Sequence, residues 1–195
     1  MSRNQLVLKN GDSDSISLWA QAEVNQAIEE HLVPEWNQID YQGEITRVEV
    51  CQLLYAFMQK TEGWQSLDQG FDSFREESVF SDTRDLAVNA LAKEGIVSGK
   101  SAEEFCPYEQ ITREELAVLL GKVYARKCAE NIDTCALSYS DTKSISPWAV
   151  KEVQRLTSIS IFVGDENQLF RPQDNITKEE TIAVLLRLMD IYLAL

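Results

Sequence analysis

One pentapeptide constrains this chain more than any other feature. Ile111-Thr112-Arg113-Glu114-Glu115 returns as Ile45-Thr46-Arg47-Val48-Glu49 and as Ile176-Thr177-Lys178-Glu179-Glu180, at intervals of 66 and 65 residues. Each copy opens an apolar run with helical spacing and sets a hydroxyl, a cation and a carboxylate at fixed offsets. The chain therefore reads as one unit written three times. A lone helix pair cannot bury both of its apolar faces, so such units are expected to pack on one another.

Apolar periodicity places two helices in each unit. In the first unit, Ala20, Val24, Ala27 and Ile28 share one face of a helix over about 17–31, with Ser15 or Ser17 as cap and Pro34 as stop. Its second helix starts at Thr46 and buries Val50, Cys51, Leu54, Phe57 and Met58. The second unit opens at Phe80-Ser81-Asp82-Thr83, buries Ala87 and Leu91, and stops at Gly95 as a left-handed cap. A loop then leads to a helix from Thr112 to about Lys127. The third unit opens at Tyr139-Ser140-Asp141-Thr142, with Pro147 at a first-turn position and a last helix from Thr177. The expected class is mainly α, built of three helix-loop-helix repeats at 17–62, 80–128 and 139–195. A lead-in segment (1–16) precedes them, and connectors at 63–79 and 129–138 join them. The first connector carries Trp64, Leu67, Phe71 and Phe74, so it is expected to pack on the body. The Ile-Val patches of the loops are candidates for short extended segments.

Composition narrows the function classes. The 195 residues hold 32 acidic against 18 basic side chains, a formal net charge of -14. This argues against general nucleic-acid binding, which needs a basic surface, and favours a basic partner. No apolar run is long enough for a transmembrane helix. Leu6-Val7-Leu8 at the start lacks a signal-peptide layout, so the chain is expected to be cytoplasmic, or a mature portion of a secreted chain at the cell surface. Cys51, Cys106, Cys128 and Cys135 include no C-x-x-C pair, and His31 is the one histidine, which argues against a zinc site; no metal is expected. Cys51 is expected to be a buried hydrophobe. Cys128 and Cys135 are read as free thiols, with pairing the alternative in an oxidising compartment. Asp82 and Asp141 are expected in turn or cap roles. With no nucleophile motif and no cofactor fingerprint, the chain is read as a non-enzyme that binds no cofactor.

Within the pentapeptide, Thr-x-x-Glu is a capping box, and each cap contributes on the order of 1 kcal/mol. Arg47, Arg113 and Lys178 are different. They occupy the first helical position, where the helix dipole disfavours a cation by roughly 0.3–1 kcal/mol. Recurrence in three units suggests a use. A helix N-terminus with free N–H groups plus a cation suits a carboxylate or phosphate; the alternative is a salt bridge to a neighbouring acid.

These motifs resemble the S-layer homology modules of bacterial envelope proteins. The resemblance is clearest in Phe80-Ser81-Asp82-Thr83, Gly95-Ile96-Val97-Ser98-Gly99, Phe105-Cys106-Pro107 and Ile111-Thr112-Arg113-Glu114-Glu115. The third unit repeats it with Trp148-Ala149, Phe170-Arg171-Pro172 and Ile176-Thr177-Lys178-Glu179-Glu180; the first keeps Trp19-Ala20 and its own pentapeptide. Leu86 stands where the other units have Trp19 and Trp148. The resemblance covers 17–192. It implies a pseudo-threefold helical assembly whose grooves bind secondary cell-wall polysaccharide, often carrying a pyruvate ketal, with Arg47, Arg113 and Lys178 facing the acidic sugar. Trp19 and Trp148 are expected as core or groove-wall residues, as aromatic rings on an amphipathic helix usually are, with stacking on sugar as the alternative. The competing expectation is an acidic protein-interaction module that reuses the fold.

Overall fold

The computed structural model describes residues 15–64, 78–128 and 136–195. The start of the lead-in segment, Leu67, Phe71 and Phe74 of the first connector, and Cys135 with its pairing lie outside the described residues. The described residues form six α-helices: α1 Gln21–Glu29, α2 Arg47–Glu62, α3 Leu86–Lys93, α4 Arg113–Ala125, α5 Val150–Ser158 and α6 Lys178–Ala194. The fold is mainly α, as the periodicity requires.

Local chemistry accounts for the second helix of each unit. Thr46, Thr112 and Thr177 have extended backbones and form capping boxes with Glu49, Glu115 and Glu180. The first helices are less regular. α1 and α5 start from Ala20 and Ala149 without side-chain caps, so neither Ser15 nor Ser17 caps α1, and Pro147 lies in the turn ahead of α5. α3 has Asp85, whose carboxylate accepts from the Val88 N–H at 3.1 Å. The turns after these helices are left-handed at His31 (φ 55°), Gly95 (φ 70°) and Ser160 (φ 61°). Only the glycine among them was readable as such a cap.

The helices pair across units. α2 packs on α3, α4 on α5, and α6 on α1, while α6 also touches α2 and α4. The second helix of each unit thus finds the first helix of the next, and the last returns to the first. One continuous core results, with Phe57, Leu91, Phe105, Leu120, Leu156, Phe170 and Leu185 all buried in it. Cys51 is buried there too, and burial pushes its thiol pKa up. Trp64, at the edge of the first connector, packs edge-on against Tyr55 with ring centroids 5.4 Å apart.

The extended segments fall at the pentapeptides, not at the Ile-Val patches. The Ile45 N–H donates to the Ile176 carbonyl (3.0 Å), Ile176 to Ile111 (3.1 Å) and Ile111 to Ile45 (3.3 Å), which closes a ring. Isolated antiparallel bridges Glu44–Thr177, Thr46–Gln110 and Thr112–Asn175 flank it.

The fourth residue of the pentapeptide has its own use. Glu114 and Glu179 are buried, although they are charged. Glu114 accepts from the Ser146 N–H (2.9 Å), the Ser146 hydroxyl (2.7 Å) and the Gln173 amide (2.7 Å), which holds the turn that leads into α5. Glu179 accepts from the Ser17 N–H at 2.9 Å ahead of α1. At the α2–α3 junction this position is Val48, and the tie is instead Gln52 Nε2 to Asp85 at 2.9 Å. Replacing Glu114 by Ala removes the acceptor of the Ser146 N–H and hydroxyl and leaves the Gln173 amide only a longer contact to the Ser146 hydroxyl at 3.4 Å. Urea denaturation should show a loss of about 2–3 kcal/mol. A loss below about 0.5 kcal/mol, the scale of ordinary surface substitutions, would show that the clasp is not structural.

Candidate ligand grooves at the three junctions

A helix N-terminus has four N–H groups with no partner inside the helix. Here all are engaged. In α4 the Thr112 N–H donates to Glu115 Oε2 (2.9 Å) and the Glu115 N–H to the Thr112 hydroxyl (3.3 Å). The two between, Arg113 and Glu114, donate to the carbonyls of Asp174 (3.0 Å) and Pro172 (3.1 Å) in the next unit's loop. In α2, Arg47 and Val48 donate to Glu109 and Pro107; in α6, Lys178 and Glu179 donate to Gly43 and Tyr41. The expectation of free N–H groups for an anion is therefore corrected. The loop of the following unit already occupies them.

The cations cross the same junctions. Arg47 donates through Nε to the Phe105 carbonyl (2.9 Å) and through Nη2 to the Ser98 carbonyl (2.8 Å), and its guanidinium lies 4.4 Å from the centre of the Phe105 ring. Arg113 donates to the Val163 carbonyl (3.3 Å), pairs with Glu180 (3.2 Å), and lies over the rings of Phe162 and Phe170. Lys178 donates to the Ile39 carbonyl (2.9 Å) and pairs with Glu49 at 2.8 Å. Loop carbonyls and a neighbouring capping glutamate thus offset the dipole's disfavour for a cation in the first turn. The salt-bridge alternative is present at Arg113 and Lys178.

Electrostatics follow from this packing. Burial raises the carboxyl pKa of Glu49, but hydrogen bonds from Lys178 and Thr46 outweigh it and hold the group below the usual range. Glu115 is lowered in the same way, against its own burial, by the Thr112 N–H and by Lys100. At Arg113, burial lowers the guanidinium pKa and Glu180 opposes the shift.

The three junctions differ in free space. Beside Arg113 an open groove of about 580 Å³ runs between Trp19, the 163–166 loop and α6. Arg171 and Arg187 also line it, as do Asp165, Glu166 and Glu180. Trp19 is 55% exposed and forms one wall of this groove. Trp148 is 57% exposed at the matching place ahead of α5, so neither tryptophan is a core residue. At Arg47 the cavity is only about 20 Å³, bounded by Ser98, Phe105 and Leu119 among others. Lys178 is 3% exposed.

Reading the pentapeptide alone missed Arg171 and Arg187. Their signal lay in aligned positions that differ. Arg171 of Phe170-Arg171-Pro172 stands opposite Cys106 of Phe105-Cys106-Pro107 and Asp40 in the first unit. All three are left-handed, at φ 58°, 58° and 51°. Asp82 and Asp141 fasten these corners. Each carboxylate accepts two backbone N–H bonds, from Phe105 and Cys106 and from Phe170 and Arg171.

A profile described as S-layer homology domain matches residues 86–117 and 138–182. These residues carry the S-layer homology domain. The first unit lies outside the matched residues but shares the ring, the capping box and the left-handed corner of the other two. Among curated relatives, an endoglucanase of Bacillus sp. (strain KSM-635) is 30% identical over 124 residues, which is 62% of this chain and 13% of the relative. Exoglucanase XynX of Acetivibrio thermocellus is 25% identical over 177 residues, 88% of this chain and 16% of the relative. The surface-layer 125 kDa protein of Lysinibacillus sphaericus is 24% identical over 126 residues, 63% of this chain and 10% of the relative. The chain thus spans a small fraction of the length of these curated relatives. Among the described residues, no helix is long and apolar enough to cross a membrane.

Two outcomes follow from these inter-unit joints. Lys178→Ala leaves Glu49 without its cation at a buried contact and should cost about 3 kcal/mol in urea denaturation; an unchanged midpoint would contradict the joint. The lowered carboxyl pKa values of Glu49 and Glu115 set the pH response. Their folded values lie below the unfolded carboxylate value of about 4.3, so the stabilisation is complete above that pH and is lost as pH falls through the folded values. Stability should hold from pH 7 to about 5 and then decline. Glu49→Gln should lower the midpoint at pH 7 and flatten the acid decline; an acid decline as steep as that of the parent would remove Glu49 from the account.

Proposed function

We propose that this chain is a non-catalytic anchoring module that holds its protein at the bacterial cell surface. It does so by binding an anionic secondary cell-wall polysaccharide, of the pyruvylated kind the family resemblance implies, at its inter-unit grooves. The groove beside Arg113 is the observation that carries this reading. It joins guanidinium donors to an exposed indole face in a space of about 580 Å³, within the range of ligand sites. Arg–carboxylate contact supplies charge-assisted, bidentate bonds, and the Trp19 ring supplies an apolar face for a sugar. Kinship with a surface-layer protein, and with polysaccharide-degrading enzymes far longer than the matched region, supports a shared attachment module. Arg47, Lys178 and Trp148 hold the equivalent places at the other two junctions.

The test is co-sedimentation with purified sacculi of Lysinibacillus sphaericus or Acetivibrio thermocellus. The chain should pellet with intact sacculi and stay in the supernatant with sacculi stripped of their secondary polymer by acid. Equal pelleting with both, or with neither, would count against polysaccharide anchoring. Recovery in the supernatant together with tight binding to a basic protein would favour the interaction module instead.

A further inference from the structure

We propose that this chain has one working glycan site, formed by Arg113, Arg171, Arg187 and Trp19, and that its other two junctions are closed structural joints. The inference rests on the anchoring reading and narrows it to one groove and one ligand per chain.

The three junctions are built on matched positions, so they can be compared residue by residue. At the Arg113 junction the left-handed corner is Arg171 and the helix position facing the loop is Arg187. At the Arg47 junction these places hold Cys106 and Lys122, and at the Lys178 junction Asp40 and Ala56. The cationic set therefore falls from three residues to two to one, and the last junction gains a carboxylate at its corner. Space falls with it, from about 580 Å³ at Arg113 to about 20 Å³ at Arg47, which holds roughly one water. Lys178 is 3% exposed, and its ammonium is taken up by Glu49 and the Ile39 carbonyl.

The donors point the same way. Arg47 uses Nε and Nη2 on the Phe105 and Ser98 carbonyls. Arg113 is 8% exposed, yet its Nε has no hydrogen-bond acceptor, and the same holds for Nε of Arg171. Arg113 Nη1 and Arg171 Nη2 converge on the single Oε1 of Glu180, at 3.2 and 3.0 Å. Asp165 stands 3.7 Å from Arg171 Nε, beyond hydrogen-bond reach, with its Oδ1 accepting from the Asn167 and Leu169 N–H groups. Arg187 is held at the far side by a two-point contact with Glu23 and by the Ile161 carbonyl. A buried guanidinium N–H without an acceptor is costly, and a ligand carboxylate or ring hydroxyl placed between Arg113 and Arg171 removes that cost. Glu166 and Asp165 on the loop can accept from sugar hydroxyls, and Trp19 covers the ring face. The fitting ligand is one terminal sugar that bears a carboxylate.

The experiment is calorimetric titration of the whole chain with the methyl glycoside of a 4,6-pyruvylated hexose, alongside sacculus co-sedimentation. One site per chain is expected. Trp19→Ala, at an exposed indole, and Arg171→Ala, each checked for a folded melting transition, should weaken binding at least tenfold in both assays. Trp148→Ala, equally exposed at the Arg47 junction, should change it less than twofold. A stoichiometry of two or three, or a loss in Trp148→Ala matching that in Trp19→Ala, would overturn the single site while leaving anchoring intact. If the glycoside does not bind but sacculi do, the same variant series on sacculi decides. If the parent chain does not pellet with sacculi at all, the anchoring reading falls and takes the single site with it.

Discussion

Everything in this fold depends on where six backbone N–H groups go. The first two residues of α2, α4 and α6 cannot bond within their own helices, and each pair donates to carbonyls in the loop of the next unit. A helix end left unpaired in a protein interior is costly, so each second helix needs its neighbour's loop in place. That requirement, with the ring through Ile45, Ile111 and Ile176, makes the three units one cooperative body. It also explains why the first helix of each unit packs on the preceding unit's second helix, with α1 completing the set on α6.

The same constraint accounts for the cations. A cation at the first helical position opposes the helix dipole. Yet that position is also where a long side chain can cross the junction and reach the next loop's carbonyls. Arg47, Arg113 and Lys178 all do so, and their positive charge is stabilised by carbonyl oxygens and capping glutamates. The recurrence of the cation is therefore explained first by assembly. Assembly leaves donors over at one junction, beside Arg113 and Arg171.

Repetition of a joint frees some of its copies from other duties. Val48 replaces the clasping glutamate at one junction, where Gln52 and Asp85 supply the tie instead. Asp40, Cys106 and Arg171 share one left-handed corner with three different side chains. Backbone geometry is kept while the chemistry at the corner diverges, which is how one scaffold comes to present three unlike grooves.

The sequence by itself determined the features that are local in the chain. The capping boxes, the apolar stripes of all six helices, the cap at Gly95 and the three-unit repeat follow from contacts within a few residues, so spacing alone reveals them. The helix starts without side-chain caps, at Ala20 and Ala149, and the left-handed turns at His31 and Ser160 were not legible, because no local residue type announces them. The tertiary structure alone decided which helices pair, where Glu114 and Glu179 bury their charge, and that the helix N-termini are occupied. The candidate site divided in the same way. Arg113 and Trp19 were visible as repeated motif residues. Arg171 and Arg187 come to the same groove only because residues far apart in sequence meet there, and the unequal space at the three junctions depends on side chains from two units at once.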